Sequence, residues 1–510
     1  MKSRLYLLCI ALLMTSTVVD AAGDTRLIDA IRRHDKDAVA SLIKARVDVN
    51  AAQPDGSTPL FWAVHENDLA VVDLLIRARA KADAADDTGV TPLYIACTNQ
   101  NALIVQKLLA SGANPNAALM SGETPLMNCA RTGNAAAVKA LIAAGAKIDT
   151  REGARDQTAL MWAAAESHPA VVQVLLEAGA DVRARSRVYT QSVAADASQR
   201  LSRSYNVERG GSTPLLLAVR VGDVESTRLL IAAGANPNDA LADGMSALAL
   251  AAYNGQASTA ILLLEKGANP NDAMIGFTAL HAAILRADSN QSLSAGLNTL
   301  IESTYKGSAT LMDLVKALLA HGADPNARMT RGTPLRRQTA DYNLLASRIG
   351  STPYLLAAEL LEVDIMRVLA SSGANVMMTM PDGSTALMLA AGTSAGDNRN
   401  RRGVAAGDGG RIEPERTAMA AVNAALEHNP LINAVNEDGE TALCGAAVMG
   451  YNQIIELLAD KGANVNVKTK SGRTPLTLAI AAGQRRGTTS YDPGDRRSTE
   501  ALLRRLGASE

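Results

Sequence analysis

A Thr or Ser followed by Pro or Ala, in most copies ahead of Leu, recurs at Thr58, Thr91, Thr124, Thr158, Thr213, Ser246, Thr278, Thr333, Thr352, Thr385, Thr441 and Thr474. Successive gaps are 33, 33, 34, 55, 33, 32, 55, 19, 33, 56 and 33 residues. The gaps of 55 and 56 are one 33-residue period with 22 or 23 residues added, so the unit survives each interruption. A fixed period of this size predicts a solenoid of stacked helical units. Composition agrees, because a chain with 3% aromatic residues has little material for a sheet-built core and suits short, closely packed helices.

The chemistry of one period explains its parts. Thr caps a helix and Pro suits its first turn, so Thr-Pro-Leu opens a first helix. A polar corner follows (HEND, RTGN, YNGQ), and then a second helix such as AVVDLLIRA. Gly112, Gly145, Gly179, Gly234, Gly267, Gly322, Gly373 and Gly462 fall just past the second helix, where a left-handed residue ends it at least cost. GANPN at 112–116, 234–238 and 267–271, and GADPN at 322–326, lead away in extended form. PDGS, DTGV, MSGE and EDGE then supply tight-turn residues. The repeated asparagines are expected to bond to turn backbone rather than to a ligand.

TPL or TAL near the start, GANPN near the end and a period of 33 together closely resemble the ankyrin repeat, over about residues 24–510. The resemblance implies a mainly α fold: a solenoid of helix-turn-helix units with short β-hairpin fingers. The implied organisation is an N-terminal capping repeat at 24–53, repeats at 54–186, an insertion at 187–208, repeats at 209–469 with insertions at about 288–310, 331–350 and 392–416, and a capping repeat at 470–510 with a further insertion at 484–498. The family's His after Thr-Pro-Leu stands only at His281, which is expected to be structural; Phe61, Tyr94, Met127, Met161, Leu216 and Cys444 take that place elsewhere. Trp62 and Trp162 share one position in their units and are expected in the core.

Residues 1–21 read as a signal peptide, with Lys2 and Arg4 before an apolar run and Val19 and Ala21 at the cleavage positions. The mature chain is therefore expected to be exported, to the periplasm or beyond. Cys97, Cys129 and Cys444 remain after cleavage. With neighbouring helices about 8–10 Å apart and a disulfide needing Cα atoms within about 7 Å, three buried free thiols are expected.

No zinc-protease, phosphate-loop, Cys-x-x-Cys or nucleophile-elbow pattern occurs, and the six His are scattered. No metal or other cofactor is expected, and the chain is read as a non-enzyme. A looser resemblance to secreted bacterial ankyrin-repeat proteins, some of which carry a c-type haem module, implies no haem here because Cys-x-x-Cys-His is missing. A net charge of −1 gives no general pull on nucleic acid.

Function is sought where the chain spends residues that the unit does not require. Insertions 187–208 and 331–350 fall between one finger and the next, whereas 288–310, 392–416 and 484–498 fall at the opposite edge and carry no assigned role. Both finger insertions pair Arg with Tyr: Arg183, Arg185, Arg187, Tyr189, Arg200, Arg203 and Tyr205, then Arg331, Arg336, Arg337, Tyr342 and Arg348. Arg and Tyr are enriched at interface hot spots, and Arg pairs bidentately with carboxylates. These residues are expected to meet an acidic protein partner, the chain itself being a monomer. The alternatives are an inhibitor, immunity or protective factor for a periplasmic enzyme, possibly a redox enzyme, or an enzyme with its site in the insertions.

Overall fold

A computed structural model describes residues 24–194, 204–292, 309–331, 333–336, 342–345, 348–393, 414–428, 430–484 and 496–509. The expected signal peptide, Arg200, Arg203, Arg337 and the larger part of each opposite-edge insertion lie outside the described residues. The chain forms two compact bodies, residues 1–163 with 173–181 and residues 164–172 with 182–510.

Both bodies are built from the predicted unit. The first helix is short, as in Pro59–His65, Pro92–Thr98 and Pro214–Val221. Thr58 caps the first of these, its Oγ1 accepting from Phe61 N–H at 3.2 Å. The polar corner is itself a cap: Asp68, Asn101, Asn134 and Asp223 each accept backbone N–H groups opening the second helices. Leu60, Ala63, Val64, Val72 and Leu75 are shut off from solvent, each large aliphatic contributing about 1.5–3 kcal/mol when fully buried. After the second helix, Gly112, Gly234 and Gly373 take φ of 88°, 96° and 91°, as expected. Arg46 and Arg79 hold the same place in the first two units at φ 60° and 62°.

The asparagines divide into two roles. The first of each GANPN accepts from the backbone two residues on, as Asn114 does from Asn116 N–H at 3.0 Å. The second crosses to the next unit. Asn116 Oδ1 accepts from Lys147 N–H at 2.7 Å while its Nδ2 donates to Gly145 O at 3.0 Å. Asn238, Asn271, Asn326, Asn433 and Asn466 repeat this paired bridge.

Ordinary fingers are turns closed by a few backbone bonds, such as Gln53 N–H to Ser57 O at 2.9 Å. Among the described residues, named strands occur only in the two finger insertions. Strand β1 (Val188–Ala194) pairs antiparallel with β2 (Ser204–Gly210), and β3 (Thr333–Arg336) with β4 (Tyr342–Leu345). The insertion at 288–310 begins as helix, since the first helix of its unit runs on through Ala279–Ser292.

Two expectations require correction. Cys97 and Cys129 form a disulfide, with Cα atoms 4.7 Å apart, leaving Cys444 as the buried free thiol among the described cysteines. The helix spacing is measured between axes, whereas each Cα stands about 2.3 Å off its axis. Facing Cα atoms of helices 8–10 Å apart thus approach to roughly 4–5 Å. Trp62 and Trp162 are only partly buried. Each ring carries the guanidinium of the preceding unit, Arg32 at 4.6 Å and Arg131 at 5.3 Å from the ring centroid.

Candidate partner-binding surface

The finger insertions are joined to their units at a narrow base. Ser186 N–H donates to Ser212 O at 2.9 Å, and Ser212 N–H donates back to Ser186 Oγ at 2.9 Å. Between these residues the chain runs out along β1 and returns along β2. The register sets Tyr189 opposite Arg209, Gln191 opposite Val207 and Val193 opposite Tyr205. Val188 and Tyr189 are about half exposed, which is unusual for large apolar side chains in this protein. Thr190 Oγ1 donates to Glu208 at 2.7 Å, and Ser192 Oγ donates to Asn206 Oδ1 at 2.6 Å. Alternate positions share a face, so one face carries these polar cross-strand pairs and the other carries the positions of both Tyr residues.

The arginines split by role. Arg185 holds the base of the hairpin: its Nη1 donates to Gly211 O at 2.8 Å and Ala240 O at 3.1 Å, and its Nη2 meets Asp239 at 2.9 Å. Arg328, which the sequence reading passed over, does the same for the second insertion, donating from Nη1 to Gly350 O at 2.7 Å and Thr379 O at 2.9 Å. Both lie six residues past their unit's glycine, Gly179 and Gly322. The offset alone does not single them out, since Arg151 stands six residues past Gly145; the insertion that follows directly is what marks Arg185 and Arg328. Arg183 stands where other units have the bridging Asn, and donates to Gly234 O at 3.4 Å and 3.5 Å across the insertion. Arg348 is buried and paired with Glu359 at 3.3 Å.

The remaining expected contact residues stand further out. Arg187 is exposed, as is Arg331 beside Gly276 at the tip of the preceding finger. Tyr205, Arg336 and Tyr342 lie on the strands by register. Residues 183–209 carry six Arg against Asp196 and Glu208, and residues 328–348 carry five Arg against Asp341. The finger insertions are therefore basic in a chain whose net charge is −1.

The one resolved His perturbation belongs to the fold. His281 is shut off from solvent; its Nδ1 lies 2.8 Å from Thr278 Oγ1 and its Nε2 3.3 Å from Ser351 O. Burial pulls its pKa down to about 4. Tyr94, in the equivalent place, donates to Glu123 of the next finger at 2.9 Å. Among the described residues there is no cluster of three or more His, Cys, Asp and Glu placed to hold a metal, and no helix is long and apolar enough to cross a membrane.

The family described as Ankyrin repeats (3 copies) matches residues 27–119, 100–186, 195–274, 215–329 and 416–488. The chain belongs to the ankyrin-repeat family. Its repeat is also similar to part of the NAD-capped RNA hydrolase NUDT12 of Homo sapiens, Pongo abelii and Macaca fascicularis, 36% identical over 66 residues in each. That match takes in 13% of this chain and 14% of each relative. An ankyrin array presents fingers and first helices as a repeated surface, and here two of the fingers are lengthened into basic hairpins.

Proposed function

We propose that the chain is an exported, non-catalytic ankyrin scaffold that holds an acidic protein partner on its two finger insertions. The observation that carries the reading is the pair of Arg- and Tyr-bearing hairpins, each clamped at its base by an Arg, Arg185 or Arg328, that donates to backbone carbonyls. Ankyrin repeats generally mediate protein–protein contact, and the two insertions add residues that the 33-residue period does not require. Arg200, Arg203, Arg336 and Arg337 are the residues for direct contact; Arg185 and Arg348 hold the platform. Export is supported by the leader-like first 21 residues and by the Cys97–Cys129 disulfide, a bond that persists in oxidising compartments.

The test uses the chain from Gly23 onward and a variant with Arg200, Arg203, Arg336 and Arg337 changed to Glu. Both are used to capture partners from native periplasmic extract, after their circular dichroism has been matched. A protein retained by the first and lost by the second supports the reading. A protein retained equally by both places the contact elsewhere on the array. A chain isolated from the cytoplasm with Met1 intact refutes export.

A further inference from the structure

The two finger insertions are held at a set distance from one another, and that distance limits what can reach both. Fingers of successive units meet at glycines. A Cβ on Gly211, just past β2, would stand 3.3 Å from Val188 Cγ2 and 3.5 Å from Ala242 Cβ in the next finger. One on Gly244 would stand 3.3 Å from Met274 Cβ in the finger after that. Backbone bonds hold the same row: Ala242 N–H donates to Gly210 O at 3.3 Å, and Thr330 N–H donates to Gly276 O at 2.9 Å. The first insertion is therefore joined to the second through two ordinary fingers, in three steps. All of these residues belong to one compact body, the second of the two. At about 8–10 Å a step, the spacing of packed helices, the row from Arg187 to Arg331 spans about 24–30 Å.

Charge changes sign along this row. Arg187 and Arg331 are exposed at its two ends. The two fingers between them, residues 240–245 and 272–276, hold Asp243 and Asp272 and neither Lys nor Arg. Each of those carboxylates is fixed in its turn, Asp243 accepting from Met245 N–H at 3.0 Å and Asp272 from Met274 N–H at 3.1 Å. Between the ends stands Met274, 71% exposed. Val188 and Tyr189 stand exposed at one end, and Ile349 at the return of the second insertion. Acid is favoured at either end and disfavoured in the middle, where an apolar side chain has Met274 to cover. A uniformly acidic surface would set like charges over Asp243 and Asp272, which is costly.

We propose that the row takes one extended segment of the partner, acidic at both ends and uncharged between, with an apolar residue near its centre. The inference rests on the finger-insertion reading and adds the form of chain that satisfies it. An extended chain covers about 3.3 Å per residue, so about eight or nine residues separate the two acidic groups. Once one end is engaged, the other is held beside its Arg at high effective concentration.

Stiff peptides measure the distance. Two Asp-Glu-Asp blocks are joined by four, nine or fourteen prolines, whose extended helix of about 3.1 Å per residue sets the blocks about 12, 28 or 43 Å apart. Each peptide carries a fluorescent label, and its binding to the full chain is followed by anisotropy at about 0.05 M salt, where charge is little screened. The nine-proline peptide is expected to bind about tenfold more tightly than either of the others, and than a single block. Arg187→Glu or Arg331→Glu should bring it down to the level of the single block, with circular dichroism unchanged. Leu in place of the central proline should tighten binding to the wild type and not to Met274→Ser. If all three spacers bind alike, the insertions act separately; the single segment is overturned while the acidic partner stands. If no peptide binds, the acidic partner falls as well. An optimum at nine prolines that survives both Arg variants overturns the placement of the two ends.

Discussion

At the scale of single residues, His281 and the Cys97–Cys129 pair do opposite kinds of work. His281 is stabilising as a neutral ring: it donates from Nε2 to Ser351 O and accepts at Nδ1 from Thr278. In the unfolded chain an imidazole titrates near about 6.5, whereas in the fold this one stays neutral down to about 4. As pH falls the unfolded state takes up the proton first. The contribution is therefore complete above about pH 6.5 and is lost between about 6.5 and 4, some 3 kcal/mol in all. His281→Met copies Met127 and Met161 in the same place of other units. Urea unfolding should show the variant less stable at pH 7, with the gap closing toward pH 4; a gap constant with pH would mean that the ring does not titrate with folding. The disulfide acts on the unfolded chain instead. Its loop spans 32 residues, so replacing both Cys by Ala should cost about 3–4 kcal/mol on the chain-entropy estimate. Thiol titration of the denatured chain from Gly23 onward should find one thiol without reductant and three with it. The bond is not legible from helix spacing, because the distance between axes exceeds that between facing Cα atoms, here 4.7 Å. The useful signal was finer: Cys97 lies six residues after Thr91 and Cys129 five after Thr124, a one-residue offset between facing helices.

At the scale of the unit, the legible features are those that a helix or turn demands locally. Capping Thr, the Pro after it and Gly at φ near 90° all follow from one period of sequence. The bridging Asn did not, because its partners are in the next unit. Asn271 is the most informative case, since it reaches past an insertion: its Oδ1 accepts from Asp324 N–H at 2.7 Å and its Nδ2 donates to Gly322 O at 2.8 Å. Asn269, two residues earlier, accepts only from Asn271 N–H at 3.0 Å through its side chain. Both are exposed, so the backbone groups left behind meet water and the losses are modest. Asn271→Ala should cost about 1–2 kcal/mol and Asn269→Ala about half as much, measured as shifts of the urea midpoint at fixed slope. Equal losses would deny the bridge its place in holding neighbouring units together. The hairpins were legible as insertions and as finger-side segments, but not as strands. Their alternation is short and mixed with Ala and Ser, and pairing with a return strand decides it. Arg183, Arg185 and Arg348 show the related limit: composition marks Arg as available for contact, while only geometry shows that these three are bound to their own chain.

At the scale of the whole chain, charge is unevenly spent. The net value of −1 hides eleven Arg in two segments, 183–209 and 328–348, against three acids. If the proposed reading holds, this excess of Arg in the finger insertions steers an acidic partner and sets its approach rate more than its final affinity. Charges of this kind are screened over about 10 Å at 0.1 M salt. Binding of the captured partner should therefore weaken steeply as salt is raised from about 0.05 M to about 0.5 M, with most of the change in the association rate. The variant with Arg200, Arg203, Arg336 and Arg337 changed to Glu should bind weakly, and its residual binding should weaken little or even strengthen over the same range, because added salt screens the repulsion that it has gained. Arg185→Glu should behave differently. It loses three bonds at the hairpin base, so its defect should persist at high salt and appear also as faster amide exchange along Val188–Ala194. If the fourfold variant and Arg185→Glu show the same salt response, the division between contact arginines and clamp arginines fails. If wild-type binding is indifferent to salt, the acidic partner fails with it, and the apolar Val188 and Tyr189 become the anchors to test.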